Sequence, residues 1–196
     1  RQLGQEHDHR LPQAEEGGAA AARRRRAPPR RPRARAPRRA AAARRRRAQA
    51  VSPEGVVPTV GFNVENFSKN NVAFTVFDMS GQGRYRNLWE HYYKDVGGII
   101  FCIDSTDKIR MCVAKDELEA LLAHAQLRDV PLLFFANKMD RPTAQSPIEC
   151  VQVLELDKIS DKPWHIAASN ALTGEGVDAG VVWLGEQMAR RASSRK

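Results

Sequence analysis

The chain is poor in cysteine and has no cysteine pairing pattern. Cys102, Cys112 and Cys150 stand far apart, with no Cys-x-x-Cys pair. That spacing argues against a disulfide framework or a cysteine zinc site, and it fits reduced thiols in a cytosolic protein. No apolar run reaches the ~18 residues that a bilayer-spanning helix needs. The first residue is Arg1 rather than Met, and no apolar signal core follows it. A fragment, a processed product or an incomplete gene model is the expectation. His91, His124 and His165 lack the spacing of metal ligands. Aromatic residues are missing from the first 55 positions, so that stretch offers no platform for stacking bases.

What that stretch does hold is arginine. Residues 1–55 carry 16 Arg and 5 acids, and residues 56–196 carry 16 Lys+Arg and 18 acids, so +11 and −2 make the net +9. Residues 19–50 are almost only Ala, Arg and Pro, with Arg₄ blocks at 23–26 and 44–47. Nothing in them repeats with an apolar period, so a disordered, basic, low-complexity head is expected over residues 1–55. A nucleic-acid or nuclear-import patch is one use of such a run. A translated GC-rich leader without a selected role is the other, and composition favours it.

The remaining chain is patterned. Residues 62–67 and 72–77 read as strands around Asn70-Asn71, a pair that tolerates positive φ, so a β-hairpin is predicted. The second strand runs into Asp78-Met79-Ser80-Gly81-Gln82. An aspartate at the carboxyl end of a strand faces the crevice where α/β sheets bind ligands. There Asp78 is placed to hold a Mg²⁺-bound water. Gly81 lets a backbone N–H approach a phosphate, and Gln82 is placed to orient an attacking water. Residues 84–94 read as a short helix with Tyr85, Leu88, Trp89 and Tyr92 on one face, either core or a partner surface.

Two continuous apolar runs follow, 96–103 and 130–136, each the pattern of a parallel strand buried on both faces. Between them lies a helix reaching about Ala125, with Ser105-Thr106-Asp107 as its cap. The second run delivers Asn137-Lys138-Met139-Asp140, about 60 residues after Asp78. A carboxylate there accepts two hydrogen bonds from guanine's N1–H and exocyclic amine, a donor pair adenine lacks. Asn137 is suited to tie neighbouring loops, and the Lys138 stem to lie over the base. A helix over 146–156, a last strand over 164–168 and a final helix marked by Val177, Val181, Leu184 and Met188 complete the pattern. Between the last two, Ser169-Asn170-Ala171 is a small-residue loop whose backbone N–H groups suit the guanine carbonyl oxygen.

Taken together, these residues resemble the Arf family of small GTPases. The likeness rests on Pro58-Thr59-Val60-Gly61-Phe62, on the run from Phe77 through Gln82 to Tyr93, and on Phe134-Phe135-Ala136-Asn137-Lys138-Met139-Asp140. Lys162-Pro163-Trp164-His165-Ile166 and Gly174-Glu175-Gly176 extend it over about residues 56–190, leaving a short basic tail at 191–196. Most of the family has Trp before the aspartate and Gly-Gly-Gln after it. Phe77 and Ser80-Gly81-Gln82 point to an Arf-like branch that works at ciliary membranes and recruits the BBSome coat.

The resemblance implies an α/β fold, the P-loop-type small GTPase sheet with flanking helices. It implies GTP or GDP with Mg²⁺ as ligands, and GTP hydrolysis. Thr59 would ligate Mg²⁺, and Asp78 would hold its bound water. Gly81 would contact the γ-phosphate, and Gln82 would be catalytic. Asn137, Lys138, Asp140, Ser169 and Ala171 would form the base site. Phe62, Phe77 and Tyr92 would form the aromatic patch for an effector coat complex. Cytoplasmic residence with peripheral association at ciliary membranes follows from the same likeness, and nucleic acid is not the expected partner.

One departure is large. Gly-x-x-x-x-Gly-Lys-[Ser/Thr] occurs nowhere in the sequence, and the family's first strand, first helix and amphipathic membrane helix have no counterpart either. That loop cradles the phosphates, so weak or absent nucleotide binding is expected of this chain. The family's first strand lies inside the sheet, between the strands at 72–77 and 96–103. Without it, two rows of backbone groups go unpaired at about 1–3 kcal/mol for each buried one. The expectation is a marginal fold, or one in which the head or a partner covers the gap.

Overall fold

The computed structural model describes residues 19–24 and 57–194. A six-stranded sheet forms its centre. The strands are β1 (Ala19–Arg24), β2 (Phe62–Lys69), β3 (Val72–Met79), β4 (Gly98–Asp104), β5 (Leu132–Asn137) and β6 (Trp164–Ala168), in the spatial order β2-β3-β1-β4-β5-β6. The predicted α/β sheet with flanking helices is present.

Local chemistry explains most of it. β2 and β3 are joined by Asn70 and Asn71, at φ 47° and 62°, and pair from Lys69↔Val72 to Phe62↔Met79. Two consecutive left-handed residues match the right-handed twist of a two-residue hairpin, and Asn tolerates that conformation. β2 is one of the sheet's two edge strands and is exposed along nearly all its length.

β4, β5 and β6 are parallel, with Ile99↔Leu132 and Leu132↔Trp164 in register. Alternate residues of β5 serve opposite layers. Leu132, Phe134 and Ala136 join the core under α1 (Met111–Ala123) and α2 (Pro147–Leu154), while Leu133 and Phe135 meet Val181, Leu184 and Met188 of α3 (Val177–Ser194). Burying a leucine of this kind contributes about 1.5–3 kcal/mol. α3 comes close because position 180 is glycine. A Cβ there would lie 2.7 Å from the Phe135 ring. α2 starts on a capping box, with the Glu149 N–H on the Ser146 hydroxyl and the Ser146 N–H on the Glu149 carboxylate.

One expectation needs correction. Ser105, Thr106 and Asp107 do not cap α1 through a side-chain bond at its N-cap, Arg110. Thr106 turns back onto Asp104 instead, and Asp107 accepts the Arg110 N–H and guanidinium. The short helix expected over 84–94 is present as a 3₁₀ helix, Gly83–Asp95. It is pinned to the preceding loop by Trp89 Nε1–H to the Ser80 carbonyl, 3.1 Å, and by Arg86 Nε–H to the Gly81 carbonyl, 2.8 Å.

The head supplies a short strand at 19–24, so the gap left by the missing inner strand is covered by the head, one of the two expected outcomes. β1 fills the inner slot, antiparallel to β3 (Ala20↔Asp78 to Arg24↔Phe74) and to β4 (Ala19↔Phe101 to Ala22↔Gly98). The slot exposes unpaired backbone groups on both walls, and an extended segment satisfies them through its own backbone whatever its side-chain pattern. The rest of the expected disordered head lies outside the described residues.

Candidate functional site

The carboxyl ends of β3, β4, β5 and β6 meet along one edge of the sheet. β5 hands over directly to Asn137-Lys138-Met139-Asp140. Lys138 adopts φ 65°, a sharp turn that starts the loop. The Ser105 N–H donates to the Asn137 carbonyl and the Met139 N–H to the Ser169 carbonyl, lacing this loop to its neighbours.

The expected base-site residues come together. Asn137 Oδ1 accepts the Ala171 N–H at 3.0 Å and lies 3.4 Å from the Ser169 hydroxyl. Ser169 is buried, and its N–H donates to the Ala136 carbonyl at 2.8 Å. Asp140 is solvent-exposed, with Arg141 Nε 3.5 Å from its carboxylate. A ligand's donors would therefore share Oδ2 with Arg141.

The loop donors expected to face the guanine carbonyl oxygen are used internally. Ser169 N–H is spent on Ala136, Asn170 N–H on the Glu175 carbonyl, Ala171 N–H on Asn137, and Leu172 N–H on the Asn170 side chain. A base carbonyl would have to exchange with the Asn137 oxygen to reach Ala171. Nearby backbone acceptors and an Asn carboxamide satisfy small-residue loops readily, so sequence alone does not say which acceptor wins.

Lys138 differs from expectation in a related way. Its ammonium pairs with Asp104 at 2.9 Å. Burial pushes the Asp104 carboxyl up, but hydrogen bonds from Thr106 and Lys138 outweigh it and bring it below the usual aspartate range. Sequence reading passed over Asp104 as a site residue. The signal was available, because an acid at the end of a buried strand beside the one carrying Asn137 must find a partner. In the register Asp104 stands opposite Asn137.

The second half of the edge lies at the end of β3. Thr59 Oγ1–H donates to Asp78 Oδ2 at 3.1 Å, so the two expected metal residues are neighbours. The Ser80 N–H donates to the Gly61 carbonyl at 3.0 Å, and Gly61 takes φ 77° to allow that turn. Gly81 is buried and Gln82 half-buried beside it. Arg86, held on the Gly81 carbonyl, also pairs with Glu117 of α1. The expected effector residues also meet: Tyr92 lies 4.9 Å from Phe77 and 5.4 Å from Phe62, ring centre to ring centre. Phe62 is 43% exposed, so the cluster opens to solvent.

Residues 46–188 match the ADP-ribosylation factor family. The chain belongs to that family. It is 58% identical over 137 residues to ADP-ribosylation factor-like protein 6 of Danio rerio, covering 69% of this chain and 74% of that protein. Among solved structures it is similar to the Arl6 BBS3 small GTPase of Trypanosoma brucei with the bound nucleotide analogue GppNp. The TM-score is 0.67 at 45% identity, covering 72% of this chain and 87% of that one. Family membership carries the small GTPase fold and the guanine-nucleotide-binding class.

Magnesium is associated with this family, and the residues fit it in part. Thr59 and Asp78 bring a hydroxyl and a carboxylate together, both oxygen donors of the kind Mg²⁺ prefers. No group of three or more His, Cys, Asp or Glu suited to a metal occurs among the described residues. Mg²⁺ commonly takes one or two protein oxygens and completes its shell with waters and substrate phosphates. Thr59 and Asp78 meet that requirement only in company with a nucleotide.

Proposed function

We propose that this chain is a guanine-nucleotide-responsive partner-binding protein of the Arf-like class, acting in membrane and ciliary traffic. One observation carries the reading: Asn137 is bonded to the Ser169–Ala171 loop, 34 residues away at Ala171, beside the exposed carboxylate of Asp140. That arrangement holds a guanine-selective acceptor at the edge of a rigid sheet. Thr59 and Asp78 would hold Mg²⁺ in company with phosphates, where the ion would supply charge neutralisation. Gln82 orients the attacking water. Hydrolysis is impaired, because the sequence contains no Gly-x-x-x-x-Gly-Lys-[Ser/Thr] to cradle the phosphates.

The Phe62, Phe77 and Tyr92 cluster is the docking surface for an effector coat complex of the BBSome kind. The likeness to the Arl6 BBS3 small GTPase of Trypanosoma brucei supports placing the chain in that Arf-like branch. Residence is cytoplasmic, with peripheral association at ciliary membranes. The test is a competition titration of the whole chain against a fluorescent guanine nucleotide. Displacement by GTP but not ATP, and loss of binding in Asp140→Asn, is the expected result. Equal displacement by ATP would sink it.

A second reading is favoured by the engagement of Lys138 with Asp104 and of Ala171 with Asn137. With these groups already satisfied, the chain would serve as a nucleotide-free interaction module using the same aromatic cluster. Partner capture that is unchanged by guanine nucleotide is its signature.

A further inference from the structure

We propose that β2 is a self-association edge, pairing antiparallel with β2 of a second copy of this chain about a two-fold axis through Phe67. No nucleotide is needed for this pairing, so its failure would leave the guanine reading untouched.

Little in β2 blunts the edge. The strand is eight residues long, contains no proline, and pairs with β3 without a break from Phe62↔Met79 to Lys69↔Val72. Short length, bulges and proline are common devices that stop an edge from pairing with another chain. Phe62, Val64 and Phe67 are exposed on it. The Gly61 carbonyl accepts the Ser80 N–H at 3.0 Å. Bonded and non-bonded residues alternate along an antiparallel ladder, so the odd-numbered residues of β2 spend their backbone groups on β3. Val64, Asn66 and Ser68 turn theirs outward. Charge is the remaining protection, in Glu65 and Lys69, and its placement selects a partner.

Glu65, Phe67 and Lys69 share one face of the strand, because side chains alternate with a period of two. It is the face toward α3: Phe67 stacks on Phe74 at 4.9 Å, and Lys69 pairs with Asp178 at 2.9 Å. Centring the pair on Phe67 sets Glu65 of each copy opposite Lys69 of the other, and the two Phe67 rings opposite each other. Asn66 of each copy then exchanges backbone bonds with Ser68 of the other. Opposite charges and aromatic rings directly across an antiparallel pair stabilise it, and like charges destabilise it. Centring on Glu65 brings two carboxylates together. Centring on Asn66 sets Glu65 opposite Phe67, and centring on Val64 sets it opposite Asn63, so neither pairs the charges. Asp178 does not block the chosen register: an ammonium has three donors, and Asp178 is itself 85% exposed. A two-fold axis perpendicular to the sheet presents the same face of both copies on one side. The Phe62, Phe77 and Tyr92 clusters of the two copies therefore face the same way.

The experiment is sedimentation velocity of the whole chain over a concentration series reaching about 0.5 mM. Parent, Glu65→Lys, Lys69→Glu and an equimolar mixture of the two variants are compared. The parent is expected to show a monomer–dimer equilibrium. Each variant alone sets like charges opposite and should dimerise about tenfold or more weakly. The mixture sets the introduced lysine opposite the introduced glutamate and keeps the native pair at the other end, so dimerisation should return toward the parent level. That recovery needs both variants folded, which separates lost pairing from lost structure. A parent that stays monomeric would overturn the proposal, as would variants that dimerise like the parent. A second measurement fixes the register. Opposed non-bonded residues stand about 4.5 Å apart at Cα, within disulfide reach. Phe67→Cys under a mild thiol oxidant should give a dimer linked through position 67, read by mass spectrometry of the linked peptides to separate it from the exposed Cys112. Asn63→Cys should not link. Linkage through position 63, or none through 67, would overturn the assignment.

Discussion

The side-chain oxygen of Asn137 accepts the backbone N–H of Ala171 at 3.0 Å, joining the loop after β5 to the loop after β6. The bond fixes where Asp140 and Ala171 stand relative to each other. Asn137→Ala leaves the Ala171 N–H without its partner and is expected to lower stability by about 1–2 kcal/mol. Guanine-ligand affinity should fall further than Tm alone accounts for, because the pocket's two loops separate. Thermal melts paired with nucleotide titration measure both. A variant with unchanged affinity would show that the tie is structural only.

The Asp104–Lys138 pair gives a pH dependence. Asp104 is held below its ordinary value of 3.8 in the folded chain. A depressed carboxyl stabilises the fold at pH above the unfolded value, and that contribution is lost as pH falls through the lower, folded value. Stability should therefore drop below about pH 4 more steeply in the parent than in Asp104→Asn. Lys138 is partly exposed, so screening limits the pair to about 1 kcal/mol. Denaturant midpoints at pH 7 and at pH 3 test this, and identical pH profiles for the two proteins would contradict it.

Gly176 takes φ 75°, and a Cβ there would stand 1.9 Å from the Ala168 carbonyl oxygen. The backbone of β6 cannot yield without disturbing the Ser169–Ala171 loop. Gly176→Ala is expected to cost roughly 2–4 kcal/mol. Gly83→Ala, where a Cβ meets nothing within 4 Å and φ is not positive, should be nearly neutral. Comparable melts for the two variants would refute the close-approach account.

β1 makes a sharper demand. Its backbone bonds to both β3 and β4, and proline in a central strand removes a donor and blocks pairing. Ala21→Pro should cost at least about 1–3 kcal/mol, a large part of a typical total of ~5–15 kcal/mol. Amide exchange in β3 and β4 should accelerate together. If exchange in those strands is unaffected, β1 does not hold the slot in solution.

Phe62 is exposed and touches Tyr92. Phe62→Ala should therefore change stability by less than about 1 kcal/mol. Capture of an effector coat complex should weaken about tenfold or more, as expected of an aromatic anchor. Binding that survives the substitution would move the partner surface elsewhere.

The residue order by itself determined the strands that carry the site. Apolar runs ending on Asp104 and Asn137 became β4 and β5 because such runs are stable only when buried on both faces. Asn70-Asn71 specified the hairpin because both residues accept positive φ. Only the tertiary structure decided the rest. The Ala and Arg of β1 carry no periodic signal, since insertion between β3 and β4 is dictated by backbone groups on strands far away in sequence. Its antiparallel direction, which sets Ala20 level with Asp78 and Arg24 level with Phe74, is likewise set by those walls. The pairing of Lys138 with Asp104, and of Ala171 with Asn137, depended on which donors and acceptors the sheet brought within reach. Periodicity encodes which face of an element is buried; it holds no record of which polar group across a loop will complete the bond.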